Sequence, residues 1–138
     1  MMLKTPEMVL HNAIVSDASI TAHVGHRVYP HLAPAVDDLP FISWRRVTIR
    51  REATFVGAMG VPAVQIEYLI FAATYLEARQ IADAVRATLD GYTGSFENTT
   101  VRQTHLDAEE DQVVSLDGSE VPNAYAVSQT YETMWQET

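Results

Sequence analysis

Residues 64–91 read VQIEYLIFAATYLEARQIADAVRATLDG, and a change of period inside this stretch decides the fold class. Val64, Ile66, Tyr68, Ile70 and Ala72 alternate with Gln65 and Glu67, the pattern of a strand with one buried face. Leu69 and Phe71 fall on the opposite face, which is therefore expected to be covered as well. Beyond Thr74 the spacing becomes helical. Ala78, Ile81, Ala82, Val85 and Leu89 form an apolar stripe, with Glu77, Arg79, Gln80, Asp83 and Arg86 on the wet side. Thr74 and Glu77 fit a capping box, in which each side chain satisfies an orphan backbone N–H, and Gly91 supplies the stop.

Upstream, Thr5-Pro6-Glu7 starts a helix with Val9, Leu10, Ala13 and Ile14 as its apolar stripe. Asp17 caps a short second turn that ends at Gly25, and Arg27–Pro30 reads as a brief extended piece. Residues 31–38, with Pro34 inside and Pro40 just beyond, form a loop. Phe41–Arg51 is β-rich, and Ala53–Val61, with Gly57 and Gly60, is a long hairpin tip. Downstream, strands are expected over about 99–107 and 124–135, with Asp117-Gly118 as a turn between them. Tyr125, Val127, Tyr131 and Trp135 share one face of the last strand. The order αββαββ predicts an α+β fold: a mainly antiparallel sheet covered by two helices, in a single domain over residues 1–138.

The composition, 47% hydrophobic and 20% charged over 138 residues, is that of a globular chain. No apolar run reaches the roughly 18 residues of a membrane span, and the start lacks the pattern of a signal peptide, so a soluble, cytoplasmically made protein is expected. There is no cysteine for a disulfide, a thiol nucleophile or a thiolate metal site. The net charge of −9 is uneven: nine acids face eight bases up to residue 96, then nine acids face Arg102 alone. Such a chain repels phosphate over much of its surface, or meets a basic partner.

The residues offer no case for catalysis. His23, His26 and His31 are near one another but span a helix end and a proline loop, which fixes no coordination geometry; they read as surface histidines. Asp107-Ala-Glu-Glu-Asp111 fails the calcium-loop register, with Gln112 where a glycine belongs, and reads as a solvated acidic surface. Arg45, Arg46, Arg50 and Arg51 are four of the nine basic residues. They fall on both faces of one strand, so they form either a charge-protected edge or a site that meets the acidic part of a neighbouring copy.

Ile20-Thr-Ala-His-Val-Gly25, Arg27-Val-Tyr-Pro30, Pro34 and Leu39-Pro-Phe-Ile-Ser-Trp44 resemble the N-terminal half of the tail-completion (tail-terminator) proteins of long-tailed bacteriophages. The helix Glu77–Leu89 and the segment Ala124–Trp135 resemble that family's later elements, so the likeness runs in order along nearly the whole chain. The resemblance implies a structural subunit without catalytic residue or cofactor. It implies a ring, typically of six copies, at the head-proximal end of the tail tube, where it stops tube growth and joins the tail to the head connector. DNA would pass through the centre, and the protein would reside in the virion neck after assembly in the host cytoplasm. Alternatives are a head-side connector or adaptor, a small metal-dependent hydrolase, and a nucleic-acid binder using the arginines.

Within that picture the apolar tip Phe55, Val56 and Met59 is expected to be buried against a neighbouring subunit or the tube. Arg45, Arg46, Arg50 and Arg51 are expected at a subunit interface, away from the lumen. Some of Asp107, Glu109, Glu110 and Asp111 are expected to face the channel or a neighbour, where acids repel phosphate and leave DNA free to slide.

Overall fold

The computed structural model describes residues 6–30, 39–50, 53–54, 57–58, 62–96, 99–114 and 124–137. The 31–38 loop, the tip residues Phe55, Val56 and Met59, Arg51 and the Asp117-Gly118 turn lie outside the described residues.

Helix α1 (Pro6–Val15) buries Val9, Leu10 and Ile14, the stripe its spacing predicts. Helix α2 (Ala18–Val24) is capped by Asp17, whose carboxylate accepts from the Ser19 N–H at 2.8 Å and the Ser19 hydroxyl at 2.6 Å. Gly25 ends α2 at φ 57°, where a side chain would be strained. The other carboxylate oxygen of Asp17 accepts from the Thr88 hydroxyl, which ties the start of α2 to the last turn of α3 (Tyr75–Leu89). Thr74 caps α3 by accepting from the Glu77 N–H at 3.2 Å, and the buried stripe is Ala78, Ile81, Ala82, Val85 and Leu89, as the sequence predicts.

Strands β1 (Val28–Pro30), β2 (Phe41–Arg50), β5 (Ala63–Ala72), β6 (Gly94–Phe96), β7 (Thr99–Val114) and β8 (Ala124–Glu137) form one sheet, in the order β1-β2-β5-β8-β7-β6. A separate two-stranded ribbon, β3 (Ala53–Thr54) with β4 (Gly57–Ala58), falls between β2 and β5 in the sequence. The α+β class is as expected, with two corrections. The sheet is mixed, because β1 adds parallel to β2 while the other pairings are antiparallel. Among the described residues three helices accompany it rather than two: the Asp17-capped segment is a full element, long enough to bury Ile20 and Val24.

The sheet curls. Helix α1 reaches β2 through His11 and Glu7, yet it also packs on β6 and β7. A flat sheet would hold β2 and β6 four strand spacings, about 19 Å, apart. Register shifts between Arg46 and Thr48, Val101 and Gln103, and Leu106 and Ala108 supply bends of the kind a bulge introduces. The concave face carries the core. Val64, Ile66, Tyr68 and Ile70 of β5 and Val127, Tyr131 and Trp135 of β8 are buried there against Ile81, Val85 and Leu89. On the helix-free face, Phe71 stacks on Phe41 with ring centroids 4.7 Å apart, which partly covers the second face of β5.

Candidate functional site

The Arg-rich segment lies in β2, where strand alternation separates its side chains. Arg45 points to the helix-free face and donates to Glu67 Oε1 at 2.9 Å; Glu67 Oε2 accepts from the Ser128 hydroxyl at 2.9 Å. Arg46 points to the helix face and pairs with Glu7 of α1, a carboxylate only 6% exposed. Beside it, the Trp44 indole donates to His11 Nδ1 at 3.0 Å; burial lowers the His11 pKa and so favours the neutral ring this bond requires. Val47, at the bulge, is 43% exposed. Arg50 closes β2 opposite Ala63.

The acidic segment is not a strand end. β7 runs on to Val114, so Asp107, Glu109, Glu110 and Asp111 lie within it, paired to β8. Alternation turns Glu109 and Asp111 toward α3. There the Arg79 guanidinium meets Glu109 at 2.8 Å, Asp111 at 3.4 Å and Asp83 at 2.9 Å. Gln129, fully buried on β8, donates to Glu109 Oε2 at 2.7 Å and to the Ala82 carbonyl at 2.9 Å, and accepts from the Tyr131 hydroxyl at 3.0 Å. Partial burial opposes ionisation of Glu109, but the bonds from Gln129 and Arg79 and the nearby arginine charges outweigh it and lower its pKa. The bond to Glu109 likewise raises the pKa of Arg79. Burial, aided by nearby carboxylates, raises the Tyr131 phenol well above its ordinary range.

Glu110 shares the helix-free face with its register partner Ser128, and Asp107 sits at the bulge; both are exposed, with no ion pair among the described residues. The structure thus divides the four acids. Two are engaged inside the chain by Arg79, and two remain available. Arg79 itself was missed by sequence reasoning as a partner of β7. Its i,i+4 spacing to Asp83 is visible in the sequence, but the bond to Glu109 depends on how β7 packs against α3.

A second surface feature, also missed, lies at the start of α3. Tyr75, Leu76 and Val113 are 49%, 67% and 58% exposed. Val113 pairs with Tyr125, whose ring meets Tyr75 edge-on at 6.2 Å, and the Tyr75 hydroxyl donates to Asp111 at 2.9 Å. His23 Nδ1 is 3.9 Å from Glu77 and His26 is exposed, His31 lies outside the described residues, and no group of three metal-ligating side chains forms among the described residues. No helix among the described residues is long and apolar enough to cross a membrane.

Fold and charged surface together define a small α+β protein with a mixed sheet and acids gathered on β7. The family described as "Tail completion protein gp17" matches residues 8–117, and the chain belongs to that family of phage tail structural proteins. Among solved structures, a chain of the "Virion of native gene transfer agent (GTA) particle" is similar in fold, with a TM-score of 0.74 at 16% identity, over 92% of this chain and 91% of that one. No curated protein matches the chain.

Proposed function

We propose that this protein is the tail-completion subunit that assembles as a ring, of six copies, on the head-proximal end of the tail tube, ends tube growth and joins the tail to the head connector. The family match over residues 8–117 carries this reading, because it spans the elements that hold both charged segments. A subunit of this kind has to meet copies of itself and two other proteins. The oppositely charged strands and the exposed Tyr75–Leu76–Val113 patch provide surfaces for such contacts. The tip Phe55, Val56 and Met59 is assigned to a neighbouring subunit or the tube. Arg45, Arg46, Arg50 and Arg51 are assigned to a subunit interface, and Asp107 and Glu110 to the channel or a neighbour. Acids at the wall act on passing DNA within a screening length of about 8–10 Å.

The test is removal of the gene from its phage, followed by electron microscopy. Tails of uncontrolled length without heads, corrected when the chain is supplied in trans, are expected. Tails of normal length that fail to join heads would assign the protein to the head side instead. Joined particles of normal length would overturn the reading.

A further inference from the structure

We infer that copies of this chain join by antiparallel pairing of the β2 edge of one copy, residues 45–50, with the β7 edge of the next, residues 108–112. The inference deepens the assembly reading above and rests on it. β1 covers β2 only at 42–44, and β6 covers β7 only at 99–101. The next stretch of β7 is closed by the turn after α3, where the Gly91 N–H donates to the Thr104 carbonyl at 2.7 Å and Asp90 accepts from the Leu106 N–H at 3.0 Å. Beyond these points, no strand among the described residues pairs with the outer side of 45–50 or of 107–114. Successive residues Arg45–Thr48 and Asp107–Val113 are exposed on both faces, as befits sheet edges. Open edges of this kind are templates for another strand.

Charge selects the partner. Arg45 and Arg46 place positive charge along the β2 edge, each balanced in its own copy by Glu67 and Glu7, while Asp107, Glu109, Glu110 and Asp111 outnumber Arg79 and leave the β7 edge net acidic. Two β7 edges repel each other, whereas a β7 edge meets guanidinium groups along a β2 edge, so the unlike pair is favoured over the β7 pair. An unlike pair is a head-to-tail contact, the kind that closes into rings.

Direction and register follow from the sheet. Three antiparallel steps, β2 to β5, β5 to β8 and β8 to β7, leave β7 running opposite to β2. Rotation about a ring axis preserves that relation, so β7 of one copy meets β2 of the next antiparallel. Side chains on the same face must also meet. Thr48 and Glu110 both lie on the helix-free face, and Ile49 and Glu109 both lie on the helix face. Thr48 opposite Glu110 centres the two edges and, with Val47 bulged out, brings Arg46 beside Asp111. Pairing then stops at Arg45, where β1 takes over the edge.

This register passes a geometric check. One row of register partners within a copy runs Ile42–Ile70–Val127–Asp111. Across the interface Asp111 would instead sit beside Arg46, and Glu109, level with Trp44 in its own copy, beside Ile49: a stagger of four to five residues per copy. At about 3.3 Å per residue, over four strands spaced about 4.8 Å, copies stay at one height if the strands tilt by about 35–41° to the ring axis. Closed barrels use tilts of about 35–45°.

The chain has no native cysteine, so disulfide capture is clean. T48C and E110C are made as separate full-length chains, with A87C, on the exposed side of α3, as control. Circular dichroism checks folding, and non-reducing gels follow mild oxidation. T48C mixed with E110C is expected to give a dimer that neither gives alone and that T48C with A87C does not give; the double variant is expected to give a ladder. Where either chain is misfolded, Ile49→Cys with Glu109→Cys serves as the second pair. Assembled chain, by native mass spectrometry, without these crosslinks overturns the edge pairing and leaves the ring standing. A chain that stays monomeric without crosslinks overturns both. Crosslinked open filaments without rings support the pairing and overturn the closed ring.

Discussion

Gln129→Leu should destabilise the protein by about 2 kcal/mol, and the loss should be coupled to Tyr131. Gln129 and Tyr131 are both fully buried, and the Gln129 amide is the hydrogen-bond acceptor of the Tyr131 hydroxyl. Leucine is of similar size, so little cavity is left, but the hydroxyl loses its partner, which costs about 1–3 kcal/mol. Loss of the 2.7 Å bond to Glu109 adds to this only in part, because Glu109 keeps Arg79 and touches solvent. Apolar burial of the leucine offsets some of the sum. Urea unfolding followed by tryptophan fluorescence is a suitable assay, since Trp44 and Trp135 are both buried. The decisive comparison is Tyr131→Phe in both backgrounds. In the native chain it strands the Gln129 carbonyl and should cost about 1 kcal/mol or more. In the Gln129→Leu chain it removes an orphaned hydroxyl and should be neutral or stabilising. Equal costs in the two backgrounds, or a Gln129→Leu loss below about 0.5 kcal/mol, the range of surface substitutions, would refute the argument.

Leu89→Ala, at a fully buried position of α3, should cost about 2–5 kcal/mol in the same urea assay. Acid should destabilise the protein in two stages. The pKa of His11 is lowered by burial, so the unfolded chain binds its proton first and stability falls as pH drops below about 6.5; His11→Gln should remove that step from urea midpoints measured against pH. Asp17 is held low first by the Ser19 hydroxyl and then by Thr88, and Glu109 by Gln129 and Arg79 against its burial. Their contribution is present above the ordinary carboxylate value of about 4 and is lost as pH falls through the lower folded values, so Asp17→Asn should flatten the second stage. Replacing Phe55, Val56 and Met59 together by serine should leave the circular dichroism spectrum unchanged and abolish tail joining, scored as infectious particles.

Much of the fold was legible because its signals are local. The α3 stripe, its Thr74 cap, the Asp17 cap of α2 and the alternation of β5 and β8 each lie within one stretch of chain, and the structure keeps them. The period of a strand also suffices to separate Arg45 from Arg46. What the sequence left open depended on partners far away in it. β6 is three residues long, too short to show a period, and β1 gains its place only by lying parallel to β2. The acids at 107–111 look like a solvated surface until β8 supplies a ladder for β7 and Arg79 a counter-charge for Glu109 and Asp111. Glu67 and Glu7, which hold Arg45 and Arg46, stand 22 and 39 residues from them. Composition and period determined which residues would be strand, helix and core, because backbone geometry imposes both within a few residues. Which charge meets which was decided by tertiary structure alone, because strand order and register bring distant segments within hydrogen-bonding distance.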